Sequence, residues 1–178
     1  MQKHIIFFNT KGGVCKSTLC QYSANELQRL GHSVSVGNTD QQKHIEMIEN
    51  DDAEFCLYDT AGAFLKANVD LLKAASEVDP SEHKVFIIVP ITTGKNDFKE
   101  FDFLIEKLGE YGALDHTRFV FTKTRRNSKA MRERKKILDA NGVEPMRYVM
   151  PTLEDFGDEL DTARTRNEIS QFLHEFAL

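Results

Sequence analysis

The stretch "FFNTKGGVCKSTL", Phe7 to Leu19, decides how the rest of the chain is read. It ends in the Lys-Ser-Thr of a phosphate-binding loop. It lacks both anchor glycines of G-x-x-x-x-G-K-[ST], because Thr10 stands at the first and Cys15 at the second. Gly12 and Gly13 still let the backbone turn so that successive N–H groups face an anion, and the helix that follows adds its positive N-terminal end. In such a loop Lys16 can reach β- and γ-phosphates and the Ser17 hydroxyl can bind Mg²⁺. A glycine turn into an ordinary helix is the plainer alternative. Two carboxylates at neighbouring strand ends, Asp40 and Asp59, weigh against it.

Outward from this loop, short apolar runs alternate with longer amphipathic stretches. Strands are predicted at 4–9, 33–38, 54–59, 84–91, 117–123 and 145–150, the last reading "PMRYVM". Helices are predicted from Lys16 to Arg29, about Phe64 to Ser76, about Asp97 to Tyr111, about Ser128 to Ala140, and near Thr162 to Phe176. Apolar runs rich in Val, Ile and Phe suit strands buried on both faces. Repeated β-then-α order implies an α/β fold, one domain over 1–178, with a mainly parallel central sheet flanked by helices on both faces. Such folds bind ligands at the carboxyl ends of the strands. The polar motifs "NTKGGVCKST", "NTDQQ", "DTAGAF" and "PITTGKNDF" all follow strands there.

Composition sets the bounds. A chain of 178 residues with 40% hydrophobic and 29% charged residues fits one soluble globular domain. The longest apolar run is too short to cross a bilayer, and "MQKHII" has no secretory pattern. Cys15, Cys20 and Cys56 form no C-x-x-C pair, which argues against a disulfide framework or structural zinc and for a reducing compartment.

"KGGVCKST" resembles the deviant Walker A loop, K-G-G-x-x-K-[ST], of the ParA/MinD ATPases, and the opening Asn9 to Gly13 is most similar to the ParA branch. The resemblance runs over nearly the whole chain and makes it a P-loop NTPase of small ParA type. It implies ATP and Mg²⁺ as cofactors. It also implies that Lys11, Gly12, Gly13, Val14, Cys15, Lys16, Ser17 and Thr18 cradle the phosphates, and that Lys11 crosses an ATP-bound homodimer to the partner's phosphates. The family motif D-x-D-P-Q appears here as Asn38-Thr39-Asp40-Gln41-Gln42. Asp40 matches the carboxylate that orients the attacking water, or is a helix N-cap. Asn38 replaces a carboxylate, which could weaken outer-shell Mg²⁺ binding or slow turnover. Asp59 matches the Walker B aspartate and, with Ser17 and Asp40, makes up the implied Mg²⁺ set. Gly62 offers its N–H to the γ-phosphate or is simply a turn residue. The base is expected beyond the fifth and sixth strands, at "FTKT" and "VMPT", with Lys123 and Pro151 on its side of the site. The absence of an N-K-x-D motif favours ATP over GTP.

Charge is unevenly spread. From Lys123 to Lys136, "KTRRNSKAMRERKK" carries eight basic residues and one acid in a chain of formal net charge −5. Clustered cations make a sequence-independent phosphate-binding patch, with Arg125, Arg126, Lys129 and Arg132 as the candidate DNA contacts. A solvated helix face partly paired with the acids of "EDFGDELD" is the alternative. The resemblance implies non-specific DNA binding by the ATP-bound dimer, a nucleoid-associated cytoplasmic location, and a separate centromere-binding or adaptor protein. A MinD-like membrane helix would need a basic polar face. The last helix carries Glu168 and Glu175 there, so its apolar stripe is expected in the core. Iron–sulfur relatives need cysteine ligands this chain lacks. A small-molecule ligase or synthetase of the same superfamily stays open, though it leaves the basic stretch unexplained. Cys15, at a helix N-terminus beside Lys16, is expected to have a lowered thiol pKa.

Overall fold

A computed structural model describes residues 1–39, 47–95 and 101–178 of the chain. Within them β1 (Gln2–Phe7), β2 (Val34–Asn38), β3 (Phe55–Asp59), β4 (His83–Ile91) and β5 (Thr117–Phe121) form an all-parallel sheet in the order β2-β3-β1-β4-β5. The helices are α1 (Lys16–Arg29), α2 (Lys66–Glu77), α3 (Phe101–Glu110), α4 (Lys129–Ala140), the single-turn α5 (Glu154–Gly157) and α6 (Ala163–Phe176). A 3₁₀ turn at Leu114–His116 leads into β5.

Strand alternation builds two apolar layers from one sequence. Ile5 and Phe7 face α1 and α6, whereas Ile6 and Phe8 face α2, α3 and α4. The buried strands therefore need apolar residues at every position, and the runs "HIIFF" and "VFIIVPI" supply them. On the first face α6 buries Ile169, Phe172 and Leu173 completely, so its apolar stripe is used in the core. Two helices, α4 and α6, start on side-chain caps. Ser128 accepts from the Met131 N–H at 3.2 Å and Thr162 accepts from the Thr165 N–H at 3.2 Å. Residues 96–100, where the third helix was expected to begin, lie outside the described residues.

The expected sixth strand at 145–150 does not form. The segment runs beside β5, with Met146 N donating to Phe119 O and Met150 N to Phe121 O, both at 2.8 Å. Between them the Arg147 and Tyr148 N–H groups turn to the Glu175 carboxylate on α6, at 2.6 and 2.7 Å. A side chain has taken the donors that a ladder would need, and one isolated bridge, Phe121 to Val149, remains.

This order sets the place of the site. The chain winds from β1 outward to β2 and back to β3, then crosses to β4 on the other flank of β1. The direction reverses at β1, and a crevice opens above its carboxyl end. Two side chains tie that end to its neighbours: Asn9 Nδ2 donates to Pro90 O at 2.7 Å, and Thr60 Oγ1 to Phe7 O at 2.8 Å.

At the opposite end of the sheet a polar row crosses three strands. His4 Nε2 lies 3.1 Å from His83 Nδ1, and His4 Nδ1 lies 3.3 Å from the Tyr58 hydroxyl. Burial, and then His83, pull the His4 pKa below its ordinary 6.5. The folded state thus binds fewer protons than the unfolded chain, so this contribution is complete above about pH 6.5 and is lost as pH falls through the folded value. Tm is expected to drop on acidification below that point, and His4→Gln should flatten the dependence. An unchanged pH profile in thermal melts of the variant would remove His4 as its source.

Candidate functional site

The loop between β1 and α1 is held from several sides. Its start is fixed by Asn9, whose side-chain carbonyl accepts the Lys11 N–H at 2.9 Å. Gly13 has φ 74° and Cys15 has φ 72°, so both occupy the left-handed region. Alternation of left- and right-handed residues makes a concave run of N–H groups, the geometry of an anion nest. Cys15 stands where the common loop has glycine, and its backbone adopts the conformation that glycine is used for.

Gly13, Cys15, Lys16, Ser17, Thr18, Lys123 and Pro151 line one cleft of about 660 Å³. Seven of the anticipated ligand residues therefore share a single cavity. Lys16 is nearly buried, and its ammonium donates to the Lys11 carbonyl at 3.2 Å, closing the loop on itself. Val14 is buried beneath the loop rather than in the cleft. Lys11 and Gly12 lie on the other flank, against Gly62. A Cβ on Gly62 would stand 3.3 Å from Gly12 N and 3.4 Å from Lys11 C. That close backbone approach explains the glycine, whatever its N–H does.

Asp59 ends β3 in register with Phe7 of β1 and Asn38 of β2 and is 0% exposed. With Asn38 beside it instead of a second carboxylate, the pair avoids like-charge repulsion. Among the described residues no three His, Cys, Asp or Glu side chains converge on a metal cage. Mg²⁺ does not need one, since it keeps waters and takes one or two carboxylates beside phosphate oxygens. The Ser17 hydroxyl and the Asp59 carboxylate are a donor set of that kind. Asp40 lies outside the described residues.

Sequence reading missed several positioning residues. Asn68, fully buried in the first turn of α2, donates to Ala61 O at 3.0 Å and Ala63 O at 2.7 Å and accepts from Thr39 Oγ1 at 2.7 Å. It holds the turn that presses Gly62 onto the loop. A polar residue at a core-facing helix position was the available signal. The outer wall of the cleft comes from Tyr22 and Phe156, stacked edge-on at 5.0 Å. Tyr22 Oη donates to Leu160 O at 3.0 Å and so fastens the α5 segment to α1. "EDFGDELD" was read only for its acids, yet Asp161 turns to Arg166 at 2.7 Å and Asp155 accepts from Thr162 at 2.7 Å.

The expectation for Cys15 is corrected. Burial pushes its thiol pKa up, and the Lys123 charge pulls it back only in part. The sulfur packs against the α1/α6 apolar layer, so desolvation outweighs the helix end.

In the basic stretch, Arg125, Arg126, Lys129 and Arg132 are all exposed. Arg132 donates to Asn127 O at 2.8 Å, Lys129 lies 4.0 Å from Glu133, and the charge of Arg126 bears on the Tyr148 phenol. Arg134 is less exposed and donates to Thr93 O at 3.3 Å.

The parallel sheet with its reversal at β1, the loop and the cleft together define a P-loop NTPase fold. The chain belongs to the family of the CobQ/CobB/MinD/ParA nucleotide binding domain (CbiA), whose model matches residues 5–164. Among curated proteins no sequence matches it. Among solved structures it is similar to a protein assigned to plasmid partition in Borrelia burgdorferi B31, bound to AMPPNP, with TM-score 0.72 and 14% identity over 99% of this chain and 100% of that one. It is also similar to cobyrinic acid a,c-diamide synthase from Mycobacterium smegmatis with a bound ATP analogue and magnesium, with TM-score 0.70 and 12% identity over 98% and 95%. MinD of Aquifex aeolicus gives TM-score 0.67 and 13% identity over 99% and 98%. At identities this low the likeness is one of fold. No described helix is long and apolar enough to cross a membrane.

Left-handed backbone at Cys15 costs roughly 1–2 kcal/mol. Cys15→Gly removes that cost but adds about 0.5–1 kcal/mol of chain entropy and loses the sulfur's packing, so net stability should stay within about 1 kcal/mol of wild type. Cys15→Val should lose roughly 1–3 kcal/mol, because a β-branched residue resists this conformation. Urea titrations giving equal stabilities for the glycine and valine variants would contradict the left-handed assignment.

Proposed function

We propose that this chain is a Mg²⁺-dependent ATPase of ParA type, which dimerises on ATP and binds duplex DNA without sequence preference to position a DNA or other cargo. One observation carries the reading. The phosphate loop with its two lysines and the basic segment from Lys123 to Lys136 are adjoining parts of one sheet edge, joined through the residues that leave β5. The family includes synthases as well as partition and cell-division proteins, and the fold alone does not choose between them. The basic segment favours the partition reading, because a small-molecule synthase has no use for it.

In this reading the loop N–H groups and Lys16 bind the β- and γ-phosphates, and the base lies toward the Pro151 side of the cleft. Ser17 and Asp59 would hold Mg²⁺, with Asp40 as the third member that the sequence motif implies; the ion's contribution is to neutralise charge on the phosphate oxygens. Lys11, the first lysine of the loop, places positive charge from one copy where negative charge grows during phosphoryl transfer in the other. Asp40 orients the attacking water. A separate adaptor or centromere-binding protein completes the system, acting where the cell holds its DNA.

ATP, but not ADP, should shift the chain from monomer to dimer in light scattering. Lys11→Ala should keep ATP binding and lose hydrolysis at least about 100-fold. Wild-type turnover in that variant would remove the cross-dimer role. Asp40→Ala should bind ATP, dimerise and fail to turn over.

Neutralising Arg125, Arg126, Lys129 and Arg132 together should abolish binding to arbitrary duplex and spare ATP affinity. If all four meet phosphates, the slope of log affinity against log salt should become shallower by roughly 3–4, near 0.9 per contact. Unchanged DNA affinity in the quadruple variant would place the DNA surface elsewhere.

A further inference from the structure

The exit of β5 reaches across to the phosphate loop with two consecutive side chains. Thr122, 0% exposed, donates its hydroxyl to the Val14 carbonyl at 3.1 Å. Lys123 donates its ammonium to the Gly13 carbonyl at 3.0 Å. Lys123 has φ 49°, a left-handed backbone for a long side chain, and that turn swings the side chain back over the loop. The turn is over-determined: Thr124 Oγ1 donates to Thr122 O at 2.9 Å, and Thr124 N to Met150 O at 3.4 Å. A strained residue held in place by its surroundings marks a position with work to do.

The consequence follows from peptide geometry. In a trans peptide the C=O and the next N–H point in opposite directions. Fixing the Gly13 carbonyl on Lys123 therefore fixes the Val14 N–H on the far side, and fixing the Val14 carbonyl on Thr122 does the same for the Cys15 N–H. The Cys15 carbonyl is taken by Leu19 N in the first turn of α1 at 3.0 Å. Three successive carbonyls are thus anchored away from the anion seat, and the N–H groups paired with them share one side with Lys16. Thr122 is anchored a second time through its backbone N–H, which donates to Ile91 O of β4 at 2.8 Å, so the orientation is referred to the rigid sheet.

We propose that Thr122 and Lys123 are positioning residues for the phosphate loop, setting the direction of its N–H groups. The proposal rests on the nucleotide reading above and deepens it. It assigns to the Lys123 side chain a role in shaping the phosphate loop, although sequence analysis placed this residue with the base.

The test compares ATP, inorganic tripolyphosphate and adenosine as ligands in equilibrium titrations. Lys123→Met keeps the aliphatic stem and removes the donor and charge. It should weaken ATP and tripolyphosphate by roughly tenfold, about one charge-assisted hydrogen bond, and leave adenosine unchanged. Lys123→Arg, which keeps a cationic donor, should restore most of the loss. Thr122→Val should weaken the same two ligands and Thr122→Ser restore them; because Lys123 is on the surface, its pair decides the matter should Thr122→Val fail to fold. A Lys123→Met protein with wild-type affinity for ATP would overturn this proposal alone. Equal losses for ATP and adenosine would also overturn it, by showing a base contact instead. A wild-type chain that binds neither ATP nor tripolyphosphate would overturn the nucleotide reading and this proposal together.

Discussion

A peptide loop holds a polyanion only if its N–H groups converge, and convergence obliges its carbonyls to find partners elsewhere. In this chain every anchored carbonyl of the loop has a named donor. Lys11 O takes the Lys16 ammonium, Gly13 O takes Lys123, Val14 O takes Thr122, and Cys15 O takes the amide of Leu19. Two of these donors come from β5, an edge strand two places from β1 in the sheet. The loop is therefore shaped by the sheet as a whole, and the buried strands matter to function because they hold β1, β4 and β5 at fixed spacing.

The same logic governs the other wall. Gly62 meets the backbone of Lys11 and Gly12 at contact distance, and that approach is maintained by Asn68, fully buried and hydrogen-bonded to both sides of the turn. An amide buried in a helix that otherwise packs Leu72 and Ala75 would be costly without those bonds. Its three contacts, two given and one accepted from Thr39, turn a potential penalty into the brace that sets one side of the site.

Legibility in the sequence followed locality. α1 could be read to the residue and β1 to within two residues at each end, because an apolar run, a glycine pair and the start of a helix are all encoded within neighbouring positions. The starts of α4 and α6 were placed near Ser128 and Thr162 for the same reason, and the structure shows that these two residues are their caps. What could not be read depended on partners far along the chain. Glu175 diverts the donors of Arg147 and Tyr148, so a segment with strand-like composition makes a single bridge. Cys15 was judged by its neighbours, Lys16 and the helix end, but its thiol answers to the apolar layer built from α1 and α6. Thr122, Asn68 and Tyr22 are ordinary residues by composition, and only the fold brings them to the loop or the cleft wall. Asp40, legible as a motif residue, lies outside the described residues and keeps the standing that the motif gives it.

The charge distribution is the last link between site and surface. The chain is acidic overall, so a basic segment of this density has to be set apart from the acids if it is to attract phosphate. Of the five carboxylates in the 154–161 region, Asp161 is committed to Arg166 and Asp155 to Thr162, so these two are engaged with their own neighbours. α4 itself is attached by a narrow stripe, with Leu138 buried and Met131 half-buried against the sheet. A helix anchored on so little apolar surface keeps most of its circumference in water, and there the arginines and lysines stand. The segment that precedes it is tied to the carbonyls of the phosphate loop by Thr122 and Lys123, and Thr124 braces that turn through Thr122 O. The phosphate loop and the basic segment are thus joined by one short covalent segment, whose first two side chains bond the loop carbonyls and whose next residues begin the run of exposed cations.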